Sequence, residues 1–117
     1  MKDHQAESQI RLQHILHAIL TIESYVKDTD AKGFIENTLL HDAVLFQFTV
    51  IGEAIKHVDE HKLKSYPYPW YKVRSFRNLI AHEYFNIKLT AVWGIIDSEM
   101  PLLKQTIVNI LEIEFET

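Results

Sequence analysis

The sequence contains no cysteine among its 117 residues. This excludes a disulfide framework, a thiolate zinc site and a cysteine nucleophile, and nothing requires an oxidising compartment. No segment approaches the ~20 uninterrupted apolar residues that a membrane helix needs, and the stretch from Met1 to Glu7 lacks an apolar signal core. These absences predict a soluble, cytoplasmic protein with no membrane partner.

Turn-forming residues are scarce, with only three glycines and three prolines in the chain. A many-stranded β-protein needs more turns than these residues can provide, whereas long stretches show apolar residues at helical spacing. With 47% apolar residues, a chain of this length can bury one core. We predict a single all-α domain over residues 1–117, a mainly antiparallel bundle of four or five helices.

The helical spacing and the capping residues predict where each helix begins and ends. The first helix is capped by Ser8 and runs to about Lys27, and the second runs from Ala31 or Phe34 to His61. After a loop over residues 62–69, the third runs from about Trp70 to His82 or Tyr84, a short fourth is capped by Thr90, and the last is capped by Asp97 or Ser98. The second helix is apolar on more than one face, which predicts two neighbours, one of them in another subunit. Its Gly52 permits close helix approach or a mild kink.

Positive charge is scarce overall but locally concentrated. The net charge is −4, yet residues 62–88 hold six Lys or Arg against one Glu, while the rest of the chain holds six against fifteen acidic residues. Such a basic patch on an acidic body suits one polyanionic contact, with Lys72, Arg74 and Lys88 as candidate RNA-binding residues. Chance clustering of surface charge is the alternative.

The stretch from Arg77 to Tyr84 brings a permanent cation, an amide, an imidazole and a phenol into eight residues. On a helical wheel at 100° per residue, Arg74, Asn78 and His82 share one row, with Arg77 at its edge. Val73, Phe76 and Ile80 take a different side and are predicted to face the core. A row of such residues is typical of an anion-binding helix face, although solvated or capping groups would give the same pattern.

These residue types suit cleavage of RNA by its own 2′-hydroxyl. That reaction needs a base, an acid and a cation for the phosphorane charge, which histidine and arginine can supply. One chain offers one well-placed histidine, His82, so two copies of the helix across a two-fold axis would cover both proton transfers.

Arg77-Asn78 followed by His82-Glu83-Tyr84 resembles the R-x4-H-x-Y motif of HepT-like toxins in the HEPN superfamily. Flanking matches support the resemblance in order and spacing: residues 50–54 (Val-Ile-Gly-Glu-Ala), Pro69-Trp70, Tyr84-Phe85 and Val92-Trp93. The likeness covers about residues 34–111.

The resemblance implies an all-α homodimer with metal-independent ribonuclease activity in a shared cleft and no cofactor. Arg77 and His82 would be the catalytic pair, assisted by Asn78. It also implies the toxin half of a toxin–antitoxin pair, neutralised when a cognate minimal nucleotidyltransferase adenylylates Tyr84. Tyr84 could instead be a helix-end tyrosine with a packed ring and a solvated hydroxyl.

Other interpretations of the chain stay open. A noncatalytic nucleotide- or RNA-binding module that partners a nucleotidyltransferase would use the same basic cleft, and a structural helical partner would bury the motif against another protein. His57 and His61 have metal-ligand spacing without an evident third ligand. Glu53 either pairs with a cation of the third helix or faces solvent.

Overall fold

The computed structural model describes residues 4–115, and helices account for most of that range. The elements are α1 (His4–Val26), α2 (Ala31–Glu36), α3 (Thr38–Ile55), α4 (Glu60–Lys64), α5 (Trp70–Glu83), a 3-10 turn (Tyr84–Asn86), α6 (Leu89–Gly94), a π-helical turn (Ile95–Glu99) and α7 (Met100–Glu114). No strand occurs within residues 4–115. The all-α prediction is confirmed.

The four long helices lie side by side in the order α7, α1, α3, α5. Neighbours run antiparallel, as contacts between their ends show. The Ser8 hydroxyl near the start of α1 accepts a hydrogen bond from the Asp59 amide just beyond α3. At the other end of α1, Glu23 pairs with Lys104 near the start of α7 at 3.0 Å. This order places α5, the helix that carries the motif, at the outside of the row.

The core consists of the apolar stripes that the spacing predicts. Along α1, α3 and α7 the inward-facing residues are all buried: Leu12, Ile15, Ile19, Ile22, Val44, Phe48, Ile51, Ile55, Leu103, Ile107 and Ile110. Burial of one such side chain stabilises the fold by roughly 1.5–3 kcal/mol, so these stripes fix how α1, α3 and α7 pack. Phe34 of α2 closes one end of the core, with its ring centroid 5.4 Å from that of Trp93.

A helix begins at Ala31, as predicted, but the predicted second helix is not continuous and ends earlier than expected. The helix is interrupted at Asn37. Its side chain caps α3 by accepting a hydrogen bond from the Leu40 amide at 3.0 Å. The helix stops at Ile55, and Val58, predicted as its last inward residue, is buried in the following turn instead. Asp59 then caps α4 through the His61 amide at 2.9 Å. This short helix spans the end of the predicted second helix and the start of the predicted loop.

Three predicted caps are also wrong. Ser8 lies inside α1, where its buried hydroxyl makes the tertiary bond to Asp59. Thr90 lies inside α6, which begins at Leu89. Neither Asp97 nor Ser98 starts the last helix, because α6 continues into α7 through the π-helical turn, in which the Met100 amide donates to the Ile95 carbonyl.

Helix α3 is long and apolar enough to span a membrane when judged by length and mean hydropathy alone. Core helices of soluble proteins pass the same test. Here α3 packs between α1 and α5, and two of its polar side chains, Asp42 and Glu53, contact residues at the end and middle of the motif helix. Its hydropathy is therefore explained by its central place in the bundle.

Candidate active site on the motif helix

Helix α5 is anchored at its first residue. The indole Nε1 of Trp70 donates to the carbonyls of Leu63 at 3.0 Å and Tyr66 at 3.2 Å, and its ring is buried. Pro67 and Pro69 keep the preceding chain out of the helix, since proline cannot continue one from its interior. The anchor fixes where α5 starts and hence where each motif residue lies.

Helices α3 and α5 are in close contact at Gly52. A Cβ atom added there would lie 2.8 Å from the backbone nitrogen of Arg77 and 3.2 Å from its Cβ. Only glycine fits so near a neighbouring backbone without displacing it. The prediction of close approach at Gly52 is confirmed, and the contact point is the motif arginine.

Arg77 also contacts the residue that follows this glycine. Its Nε lies 3.1 Å from Oε2 of Glu53, with both side chains about half exposed. Among the described residues, Oε2 accepts no well-aligned hydrogen bond. The contact is therefore an ion pair, which orients the guanidinium without using its other N–H groups. Lys56 at 3.7 Å and His57 at 3.9 Å share the carboxylate. Of the two interpretations of Glu53, pairing with a motif-helix cation is confirmed.

The other members of the predicted row differ in their contacts. Asn78 and His82 are exposed on α5. Arg74 instead pairs with Glu60 of α4 at 3.4 Å. His82 lies five positions after Arg77, about 140° away around the helix. One protomer therefore presents its arginine and its histidine on different flanks of α5.

An open groove of about 260 Å³ lies beside Arg77. Helix α1 contributes Arg11 and His14 to its lining, α3 contributes Glu53 among others, and His82 is not part of it. The lining thus brings two cationic side chains and an imidazole to one groove, although Arg77 pairs with Glu53 and Arg11 pairs with Glu7 at 3.9 Å. Neither Arg11 nor His14 can be associated with Arg77 from the sequence, because more than sixty residues separate them from it.

The basic patch is partly neutralised in the fold. Lys62 pairs with Glu114 at 3.4 Å and lies over the ring of Phe115, while Arg74 and Arg77 have the partners given above. Lys72 and Lys88 are exposed and have no ion-pair partner within the described part of the chain. These two lysines stay available for a polyanion.

Tyr84 occupies the 3-10 turn that ends the motif helix, with its side chain partly exposed. Its hydroxyl donates to Oδ1 of Asp42 on α3 at 2.7 Å. This hydrogen bond raises the pKa of the Tyr84 phenol above its usual value, and desolvation and the charge of Asp42 act in the same direction. Nδ1 of His41 lies 3.3 Å from the same carboxylate oxygen. Like Arg11 and His14, Asp42 cannot be associated with the motif from the sequence alone.

The spacing of His57 and His61 does not place them on one helix, because α3 ends at Ile55 and α4 begins at Glu60. His57 instead contacts Glu53. Within residues 4–115 no group of three His, Asp or Glu side chains is arranged to hold a metal ion.

The chain is similar to known proteins over most of its length. A family model described as "Ribonuclease HepT-like" matches residues 15–110. The chain is 34% identical over 105 residues to "Gamma-glutamylcyclotransferase and putative RNase" of Methanocaldococcus jannaschii, which covers 89% of this chain and 47% of that protein. The chain thus spans about half the length of this relative.

Two other relatives match over most of their own length. A "Putative RNase" of Caldanaerobacter subterraneus is 30% identical over 104 residues, 88% of this chain and 93% of the relative. "Probable ribonuclease HepT" of Thermococcus cleftensis is 27% identical over 94 residues, 80% and 86% of the two chains. No solved structure gives a significant match. The chain belongs to the HepT-like ribonuclease family, which confirms the family and the ribonuclease class that its motif predicts.

Proposed function

We propose that the protein is a metal-independent endoribonuclease whose active site is assembled from two motif helices. The observation that carries this proposal is the arrangement around α5. Glu53 orients Arg77 at the groove that Arg11 and His14 also line, while His82 is exposed on another flank. A cation and a titratable imidazole are thus both accessible, but one copy does not bring them to one point.

Each motif residue has a distinct role in this proposal. The Arg77 guanidinium, held at Nε by Glu53, turns its remaining N–H groups to the phosphate and stabilises the charge of the phosphorane. One His82 accepts the proton of the 2′-hydroxyl, and His82 of a second copy donates a proton to the leaving oxygen. Asn78, one turn before His82, assists by hydrogen bonding. Lys72, Lys88 and Arg74 contact the RNA backbone beyond the scissile phosphate.

The exposed stripe of α3 supports a homodimer. Leu39 and Phe46 are 84% and 62% exposed and lie two turns apart on one face of α3. Glu53 lies on the same face, and Asp42 lies at its edge, about 60° from Leu39 around the helix. Phe85, next to Tyr84, is 94% exposed. Large apolar side chains so exposed favour a covering partner. A second copy seated on this stripe would bring two motif helices to one cleft.

The catalytic assignment is tested with His82→Ala and Arg77→Ala on purified protein, with His61→Ala as a matched control. His61 is exposed on α4, outside the motif. We expect both motif variants to lose cleavage of an RNA oligonucleotide by at least about 100-fold, because each removes a group used in the transition state. Cleavage by His82→Ala at the rate of His61→Ala would refute the assignment.

RNA binding measured on the same variants separates the enzyme from a noncatalytic binding module. If the protein is an enzyme, His82→Ala should still bind RNA. The module predicts no cleavage by the wild type, with binding and its salt dependence weakened in Arg77→Ala.

We further propose that the protein is the cytoplasmic toxin of a toxin–antitoxin pair, with a cognate nucleotidyltransferase as its antitoxin. Tyr84 lies partly exposed at the end of the motif helix, where another enzyme can reach it. An adenylyl group there would add bulk and negative charge near the cleft and would compete with RNA. Intact mass after incubation with the transferase from the neighbouring gene, ATP and magnesium tests this proposal. Adduct formation on Tyr84→Phe at the wild-type level would contradict it.

A further inference from the structure

Three polar groups meet at the end of the motif helix without any part in RNA cleavage. The Tyr84 hydroxyl donates to Oδ1 of Asp42 at 2.7 Å, and Nδ1 of His41 lies 3.3 Å from the same oxygen. His41 Nδ1 is buried and has no hydrogen-bond partner among the described residues. Among the contacts that the described residues make with the Tyr84 hydroxyl, the Asp42 carboxylate is the hydrogen-bond acceptor.

We infer that Asp42 is the general base for nucleotidylation of Tyr84, so that the modified protein itself supplies the group that activates its own tyrosine. This inference rests on the proposed function, in which Tyr84 is the acceptor. In the reaction the Tyr84 oxygen forms a bond to the α-phosphorus of ATP. The bond from that phosphorus to the bridging oxygen of the β-phosphate breaks, and pyrophosphate leaves. The phenolic proton moves to Oδ1 of Asp42.

The proton must be removed during the attack rather than before it. A phenol is almost entirely protonated at pH 7. The bond to Asp42 makes the phenolate rarer still, since it raises the pKa of Tyr84. An acceptor already in hydrogen-bond contact is therefore the efficient route, provided that it takes the proton as the new bond forms.

The surroundings fit a base that works inside the active site of another protein. The Asp42 side chain is 41% exposed and that of His41 is 14% exposed. The carboxylate can thus be covered by an incoming enzyme while the imidazole stays behind it. Among the described residues, Asp42 is the charged group that contacts the Tyr84 hydroxyl, and His41, also from α3, lies next to Asp42. Phe85 of the same turn presents its ring edge-on at 5.1 Å from the Tyr84 ring.

Asp42→Asn separates proton transfer from positioning, because the amide oxygen can still accept the Tyr84 hydrogen bond but is a far weaker base. The matched control is Asp97→Asn, an exposed aspartate in the π-helical turn. Initial rates of adduct formation are measured by intact mass with the cognate transferase, ATP and magnesium, and each variant is divided by the wild type. This ratio cancels the pH response of the transferase.

At pH 7 we expect Asp42→Asn to react about 100-fold more slowly than the wild type, and Asp97→Asn to react at the wild-type rate. Without the base, the phenol must ionise before it attacks, and the phenolate fraction rises about tenfold per pH unit. The ratio for Asp42→Asn should therefore rise about tenfold per unit between pH 7 and 9. Its cleavage of RNA should equal that of the wild type.

The outcomes are distinguishable. A wild-type protein that accepts no adenylate refutes the proposal that Tyr84 is the acceptor. A modified wild type with an equally fast Asp42→Asn overturns the inference about Asp42 alone. A slow Asp42→Asn whose ratio is constant across pH also overturns it, because a purely positional role would not depend on ionisation of the phenol.

Discussion

The contact of Gly52 with the backbone of Arg77 gives the sharpest test of how the fold sets the active site. In Gly52→Ala the added Cβ would meet the Arg77 nitrogen at 2.8 Å, whereas ordinary contacts begin near 3.4 Å. Because this neighbour is backbone and not the end of a flexible side chain, α5 must retreat from α3 by about 0.6 Å at that point.

Two opposing terms set the effect on stability. Replacing glycine by alanine inside a helix is favourable by about 1 kcal/mol, while overpacking of a close contact costs typically about 1–3 kcal/mol. We expect Gly52→Ala to lie between neutral and about 2 kcal/mol less stable than the wild type. Activity should suffer more, since a misplacement on the order of 1 Å can cost about 100-fold in rate. The expected fall in RNA cleavage is about 10- to 100-fold.

Gly94→Ala is the matched control, because a Cβ there meets nothing within 4 Å. It should be as active as the wild type and equally or more stable. Urea unfolding followed by circular dichroism gives the free energy of unfolding, and the cleavage rate of an RNA oligonucleotide gives the activity. The reasoning fails if Gly52→Ala matches Gly94→Ala in both measurements.

Two further predictions concern the anchor of α5 and the alkaline stability. Trp70→Phe should lower the free energy of unfolding by about 1–3 kcal/mol, because the Leu63 carbonyl loses a buried donor at 3.0 Å; an unchanged urea midpoint would contradict this. Burial, followed by the hydrogen bond to Glu114 and its charge, raises the pKa of the Tyr66 phenol above 10. As pH rises, the phenol therefore loses its proton in the unfolded chain before it does so in the folded protein. The contribution of Tyr66 to the free energy of unfolding is complete below pH 10 and is lost as the pH rises through the higher pKa of the folded state. Tyr66→Phe should be less stable at pH 8, and the gap between the two urea midpoints should narrow by pH 11; a constant gap would refute the assignment.

The sequence predicts the elements whose signals are local. Helix α5 runs from Trp70 to Glu83, within the predicted bounds, because two prolines precede it and its apolar residues recur at helical steps. Val73 is buried, and Phe76 and Ile80 pack against the core, as the wheel predicts. The same periodicity locates the buried stripes of the other long helices.

Helix ends are less predictable, because the apolar pattern passes through a break without interruption. Val58 continues the stripe of α3 and is buried, yet it lies in a turn three residues after the helix ends. A local signal does exist at Asn37, since asparagine is a favoured N-cap residue and caps α3 here. Serine is a favoured capping residue, but Ser8 instead accepts a hydrogen bond from a residue 51 positions away along the chain. Sequence alone carries no sign of that partner.

In the candidate site too, some residues can be predicted from the sequence and others cannot. The motif residues and Glu53 can be singled out from the sequence, since a charged residue in an apolar helix needs a partner. Asp42 stands in the same apolar helix and carries the same signal, but its partner lies 42 residues away. Arg11 and His14 approach Arg77 only because α1 and α5 both pack against α3.

Between α6 and α7, the π-helical turn restricts the number of residues more strictly than it restricts which residues they are. Its wider turn adds a residue between α6 and α7, and each residue rotates the following helix by about 100°. The buried face of α7, with Met100, Ile107 and Ile110, meets α1 only in that phase. Within residues 95–99 the protein should therefore tolerate replacement of exposed side chains far better than loss of a single residue, which would turn the whole of α7 out of register with the core.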